Sequence, residues 1–334
     1  YVEVSREAAH VRAIVDCWED YNRLTAEIKD AREMASQEDD PEMREMARHE
    51  VSDLERAAAA KTAELRLLLL PPDPYVGRPL LLEVRAGSGG DEAALFAADL
   101  ARMYHRFADE KGLRFEVMSA NSITVGGSGK SIQGFKEIVC SVSGAAAYNL
   151  LRFEGGVHRV QRVPATESQG RIHTSAATVA VMPEPDEVEI NIDPKELRID
   201  TMRAGGPGGQ SVNTTDSAVR IVHEPTGLIV ICQDEKSQHK NKEKAMRVLK
   251  ARLLEREQAE RAASESAARK AMVGSGDRSE RIRTYNFPQN RLTDHRIGAT
   301  LYRLDSIIEG DLTELVDLLT AARQAEQLAE SDLV

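Results

Sequence analysis

The 334-residue sequence predicts an α+β protein of several domains, with a helical N-terminal part followed by small mixed α/β parts. Three observations carry this. The first 70 residues hold no glycine and a single proline, Pro41. The segment "PPDPYVGRP" (71–79) then breaks the chain, and beyond it β-branched runs alternate with amphipathic stretches. Charge also segregates along the chain: residues 201–300 carry 18 lysines and arginines against 12 acidic residues, while residues 1–80, 181–200 and 301–334 sum to −7, −5 and −6.

Each element follows from local chemistry. Val11, Ile14, Val15 and Trp18 recur at helical spacing, and "SQEDDPE" (36–42) supplies a turn, so residues 1 to about 70 read as a helical hairpin. "LLLEVRAG" reads as a strand, and "DEAALFAADLARMYHRFADEKG" as a helix closed by Gly112. "FEVMSA", "FKEIVCSVSG", "TSAATVAVMP" and "EVEINID" read as strands or short elements. "AVRIVHEPTGLIVICQ" is a hairpin around "EPTG". A long basic helix follows over "SQHKNKEKAMRVLKARLLEREQAERAASESAARKA", then "VGSGDRSERIRTYNFPQNRLTDHRIG" with five arginines and turn punctuation, then an acidic terminal helix.

Bulk properties exclude several classes. No apolar run reaches 18 residues, so no membrane partner is expected. Tyr1 stands where an initiator Met would, which points to a missing natural N-terminus and weakens any argument from an absent targeting signal. Cys17, Cys140 and Cys232 are far apart and odd in number, which suits reduced thiols in the cytoplasm; neither a metal nor a cofactor is expected. The net charge of −11 argues against a polyanionic partner, but the basic third between acidic ends argues that one part meets nucleic acid. A solvated basic face is the plain alternative. "TVGGSGKSI" (124–132) imitates a phosphate-binding loop, yet Thr124 stands where its leading glycine is required. An exposed Gly/Ser loop over Ser119–Phe135 is the reading preferred to a nucleotide site.

Two stretches are specific. "RAGGPGGQSVNTTDSAVR" (203–220) crowds glycines before a glutamine, and "HRVQRVPATESQGRIHTS" (158–175) contains Pro164-Ala165-Thr166. Together with "RAGSGGDEAALFA", "DEKSQHKNK" and "RIRTYNFPQNRLTDHRI", they make nearly the whole chain resemble the bacterial class-I peptide chain release factors, of the type that reads UAA and UAG. The loop from Ser119 to Phe135 is about seven residues longer than the usual family segment, the one departure noted.

The resemblance implies a translation termination factor. It assigns Gly208, Gly209 and Gln210 to hydrolysis of the peptidyl-tRNA ester in the ribosomal peptidyl-transferase centre, with Gln210 N5-methylated by a glutamine methyltransferase. Codon reading is implied for Pro164, Ala165 and Thr166, for His173 with its apolar neighbour Ile172, for Gln161 and Thr174 at the third base, and for Gly89 and Glu92 at a helix tip. The implied division is a helical domain over 1–75, a codon-recognition domain over 76–190, a Gly-Gly-Gln domain over 191–278 and a C-terminal domain over 279–334 packing with the second. Implied partners are both ribosomal subunits with their rRNA, the stop codon, peptidyl-tRNA and a GTPase recycling factor; no stand-alone enzyme is implied. A codon-independent ribosome rescue factor is the alternative.

The chemistry of those residue types agrees. A compact chain of this length has a radius of gyration of about 20 Å. Thr166 and Gln210, 44 residues apart, can be separated by up to about 145 Å of extended chain. A molecule that reaches from codon to ester is therefore expected to be elongated and hinged, with the acidic stretch Pro183–Glu196 on the hinge side.

Overall fold

A computed structural model describes residues 2–37, 39–71, 73, 75–127, 130–164, 167, 169–184, 192–205, 215–274 and 276–331. Helices α1 (Val2–Gln37) and α2 (Pro41–Leu68) form the expected hairpin. Asp40 caps α2 by accepting from the Glu42 N–H at 3.0 Å, with Pro41 in the first turn, where a missing N–H costs nothing. The seam between the helices is thin. Cys17, Ile28, Ala31 and Ala58 are buried there, and Arg32–Glu55 and Lys61–Asp20 pair at its edges.

The largest unit is an eight-stranded sheet in the order β11-β10-β9-β4-β5-β1-β3-β2. Its strands are β1 (Leu80–Ala86), β2 (Arg114–Gly127), β3 (Lys130–Ser143), β4 (Gly156–Arg162), β5 (His173–Pro183), β9 (Arg281–Asn286), β10 (Arg291–Asp294) and β11 (Ala299–Leu301). All neighbours are antiparallel except β4 and β9. Helix α3 (Asp91–Glu110) lays Phe96, Leu100, Met103, Tyr104 and Phe107 on one face, against Leu82, Val84, Cys140, Val160, Val179 and Tyr285. The short helices α4 (Ala147–Leu151), α6 (Leu304–Ile308) and the longer α7 (Thr313–Glu330) extend this core. Strand β5 is buried along almost its whole length because it is central and covered on both faces, which is why its sequence is made mostly of small and apolar residues, with Ser175 and Thr178 buried among them.

A separate three-stranded sheet, β6 (Leu197–Met202), β7 (Ala218–His223) and β8 (Leu228–Cys232), packs on helix α5 (Gln238–Val273). Val219, Ile221, Val230 and Cys232 meet Ala245, Leu249 and Leu253 there. The β7–β8 turn closes through the Gly227 N–H onto His223 O at 2.8 Å, with Gly227 at φ +68°. The C-terminal end of α5 reaches the first sheet, where Arg269 lies 3.1 Å from the buried Glu83 and Met272 packs on Gly155. With its cores separate, the 36.8-kDa chain exposes 20063 Å², about half as much again as the ~13,600 Å² of a compact monomer of that mass.

Three local readings change. The segment expected as an exposed loop over 119–135 is ladder: β2 and β3 pair from Ser119↔Val139 to Gly127↔Lys130, with register shifts after Val117 and Asn121. Ile123, Val125 and Ile132 supply β-branched residues there. Gly134 is needed where the hairpin crosses α3, since a Cβ on it would lie 2.9 Å from the carbonyl carbon of Ala94. The acidic terminal helix is two helices, broken at Gly310, whose φ of +113° no ordinary residue holds comfortably. "GVHRVQR" and the arginine-rich stretch after α5 are strands (β4, β9, β10), joined in parallel at β4–β9. Most of "EVEINID", and half of the hinge stretch 183–196, lies outside the described residues.

Candidate nucleic-acid interface

The described codon-reading candidates meet at one end of the large sheet. The chain leaving β1 stays laced to β5: the Gly87 N–H donates to Ala176 O at 2.9 Å, and the Ala176 N–H to Ser88 O at 2.8 Å. Gly89 then passes directly over Ser175. A Cβ on Gly89 would sit 2.3 Å from Ser175 Oγ and 3.1 Å from its Cα, and φ there is +136°. Gly90, at φ +61°, starts α3. Glycine is required at the tip by contact and by dihedral together.

Strands β4 and β5 carry the rest. Gln161 pairs in register with Thr174, and Arg162 with His173. Adjacent strand positions point to opposite faces, so Thr174 and Gln161 share one face while His173 and Arg162 share the face toward α3. His173 is half exposed with Nε2 2.7 Å from Glu167 Oε2. Ile172 is 58% exposed and Thr174 partly covered. Pro164 is buried, and its carbonyl accepts from the Glu167 N–H at 3.1 Å; Ala165 and Thr166 lie outside the described residues.

Glu92 is turned inward. It is 5% exposed, and its Oε1 accepts from Arg162 Nε at 2.6 Å, while Arg162 Nη1 donates to Asp99 at 2.6 Å. Burial would lower the pKa of this guanidinium, but Asp99 and then Glu92 more than offset it and raise the value. Arg162 also lies over the Phe287 ring at 5.2 Å. The pair thus clamps the α3 tip to the end of β4, and Arg162 and Asp99 were absent from the sequence reading. Only the strand assignment of β4 places Arg162, next to Gln161, on the face toward α3.

A buried polar cluster supports the same strands from inside. Arg283 is fully buried and grips Glu154 at 2.6 and 2.9 Å and Asp294 at 3.2 Å. Burial alone would raise the Glu154 pKa, yet Arg283 brings it below the ordinary carboxylate value. His158 accepts from the Tyr285 hydroxyl at Nδ1 (3.0 Å) and donates from Nε2 to Glu154 O (2.9 Å). Burial first, and Arg283 second, push its pKa down to about 4, so the ring is neutral at physiological pH.

At the other motif, Gly208, Gly209 and Gln210 lie outside the described residues, but both flanks of their segment are held. The Gly205 N–H donates to Gln233 Oε1 at 3.0 Å. Beyond the segment, the buried Asn241 donates to Ser217 O (2.7 Å) and Glu235 O (2.8 Å) and accepts from the Glu235 N–H (3.0 Å). Gln233 and Asn241 are site residues the sequence reading missed. On α5, Lys240, Lys242 and Lys250 are exposed and make no ion pair among the described residues, which leaves positive charge free for phosphates.

Among the described residues no group of three His, Cys, Asp or Glu side chains is placed to hold a metal ion, and no helix is long and apolar enough to cross a membrane. Two protein families match successive parts of the chain, and the second range includes strands β9 and β10 of the large sheet. The PCRF domain family matches residues 1–179, and the RF-1 domain family residues 186–296. The chain is 56% identical over 330 residues to peptide chain release factor 1 of Maridesulfovibrio salexigens, covering 99% of this chain and 90% of that one. It is 54% identical over 332 residues to peptide chain release factor 1 of Treponema denticola, covering 99% and 90%. It is 55% identical over 326 residues to that of Clostridium novyi, covering 98% and 89%. Among solved structures, RF2 of Thermus thermophilus is 37% identical with a TM-score of 0.49, covering 98% of this chain and 88% of that one.

Proposed function

The chain belongs to the peptide chain release factors, on the release factor 1 branch, and from that premise we infer how its residues end translation. It is a termination factor that recognises UAA and UAG on the ribosome. The observation that carries the residue-level reading is the convergence of Gln161, Thr174, His173, Ile172 and Gly89 on one end of the sheet. Single-stranded RNA is read by stacking and by hydrogen bonds to exposed base edges. Gln161 and Thr174 share a face and read the third base, where both purines offer N7 as an acceptor. His173, on the opposite face, stacks on a different base, with Ile172 beside it. Thr166, in Pro164-Ala165-Thr166, supplies a hydroxyl that both donates and accepts. Gly89 lets the α3 tip approach the first base, and Glu92 holds that tip through Arg162 rather than by touching RNA.

At the ester, Gly208 and Gly209 bring backbone close and direct the Gln210 N–H at developing negative charge. A preorganised donor of this kind is worth about 2.7–4 kcal/mol. The neutral Gln210 amide takes up no proton near pH 7, so it orients water and excludes larger nucleophiles. The chain acts only inside the ribosomal centre and is no stand-alone enzyme. The four-part division at 1–75, 76–190, 191–278 and 279–334 belongs to this proposal. So do cytoplasmic placement, N5-methylation of Gln210 by a glutamine methyltransferase, and a GTPase recycling factor. Nothing in the fold favours the codon-independent rescue reading.

The test is peptide release from ribosomes carrying labelled peptidyl-tRNA, with UAA, UAG, UGA or a sense codon in the decoding site. Release on UAA and UAG only, lost in Gln210→Pro, is the expected outcome. Release on every codon would overturn the role given to the β4–β5 residues.

A further inference from the structure

The face of the large sheet turned away from α3 carries more than Gln161 and Thr174. Thr174, Gln161, Asn286 and Arg291 stand side by side on β5, β4, β9 and β10, and behind them Ala176, Arg159, Thr284 and Thr293 form a second row. Arg159 and Arg291 are partly buried, and the Nε of each is buried with no hydrogen-bond partner. A third arginine, Arg281, adjoins the second row. Its Nε donates to His295 Nε2 at 3.3 Å, and Thr284 Oγ1 donates to the same nitrogen at 2.8 Å. Burial first, and Arg281 second, lower the Arg159 pKa; burial, then Arg281 and Arg159, lower that of His295. Asp294, next to His295, points to the opposite face, where Arg283 and Arg296 hold it. Among the described residues, no carboxylate pairs with Arg159, Arg281 or Arg291. Partly buried cations gathered without a counter-ion are unfavourable, and an anion bound among them removes that cost.

We propose that Arg159, Arg281 and Arg291 form a phosphate-binding face that holds the backbone of ribosomal RNA lying beside the codon. This rests on the reading of the chain as a ribosome-bound termination factor with Gln161 and Thr174 facing the codon. Guanidinium groups suit the task, because their donors match phosphate oxygens in pairs. The layout favours ribosomal RNA over the messenger. Arg159 stands two positions behind Gln161, and Arg281 is level with Val157, four positions behind it. At about 3.3 Å per residue, the cations run back about 13 Å along the strands from the codon-reading row. A messenger read at the end of the sheet passes that end, whereas a backbone that meets all three arginines lies along the strands.

The experiment measures equilibrium binding of the full chain to ribosomes with UAA or UAG in the decoding site, over a series of salt concentrations. Arg159→Gln and Arg291→Gln are each expected to flatten the slope of log affinity against log salt by about 0.7–0.9, equally on both codons. Arg159→Lys keeps the charge and is expected to keep the slope. The deficit of the glutamine variants is expected to persist on a messenger that ends at the last base of the stop codon. The urea midpoint of Arg159→Gln should be unchanged or higher, since the substitution removes a cation that has no partner; an arginine serving only the fold would give a lower one. Unchanged slopes in both glutamine variants would overturn the proposal, as would an equal loss in Arg159→Lys or a deficit confined to one codon. A deficit that vanishes on the shortened messenger would overturn the choice of ribosomal RNA and assign the face to the messenger. Failure of the starting protein itself to bind ribosomes at a stop codon would instead overturn the termination-factor reading.

Discussion

Replacing Asn241 with alanine should loosen the far flank of the Gly-Gly-Gln segment without touching codon reading. The side chain is fully buried and makes three hydrogen bonds, at 2.7, 2.8 and 3.0 Å. The Ser217 carbonyl is the buried partner, and leaving it unsatisfied costs about 1–3 kcal/mol. The two bonds to Glu235 lie nearer water and lose about 0.5–1.5 kcal/mol each. The expected local destabilisation is about 2–6 kcal/mol, centred near 3–4. Only Trp18, on α1, reports by tryptophan fluorescence, and it is remote from this sheet. Native-state hydrogen exchange of β7 and the first turns of α5 is therefore the appropriate assay. At 3 kcal/mol, opening becomes roughly 150-fold more populated and exchange accelerates in proportion. Release should fall on UAA and UAG alike. Acceleration below fivefold would refute the reasoning, because it would mean that water replaces Asn241 at negligible cost. A codon-selective fall in release would refute the separation of the two sites.

Gly89→Ala should reduce release on both stop codons, since its Cβ would meet Ser175 Oγ at 2.3 Å; Ser175→Gly in the same chain should restore part of it by removing Oγ and Cβ. An unaffected single variant in the release assay would show that the α3 tip does not approach the codon. Stability should also fall with acid in a specific window. His158 has a folded pKa of about 4 against an ordinary 6.5, so between those values the unfolded chain binds a proton that the folded chain does not. The protein should be about 2 kcal/mol less stable at pH 5 than at pH 7 from this group, and His158→Gln should flatten that slope in urea unfolding. Glu154 and Asp294, whose folded pKa values are lowered, contribute stability above their unfolded values and lose it only as pH falls further, through the folded ones.

The short motifs and the periodic elements were legible because their causes are local. Helix α3 shows its apolar stripe, β5 its stretch of small and β-branched residues, the β7–β8 hairpin its turn, and Gly208-Gly209-Gln210 needs only adjacency. Strand β4 was not legible, because its inward positions include His158 and Arg162, which read as surface until partners are known. The Ser119–Phe135 segment looked like a loop because its glycines resemble turn residues, whereas Gly134 is there to let a hairpin cross α3.

What the sequence alone determined is the helical hairpin, the succession of mixed units, the basic third and the two motifs that assign the chain to its family. Only the tertiary structure decided where the charges go. Arg283 counts toward the basic third, yet it is wholly buried on Glu154, 129 residues away, and on Asp294. The row Thr174–Gln161–Asn286 likewise joins β5 to β9 and brings together residues, Thr174 and Asn286, more than a hundred positions apart in the chain. Composition and spacing record what a residue can do. Whether an arginine neutralises phosphate or a buried carboxylate, and which way an amide points, depends on partners that only folding brings within three ångströms.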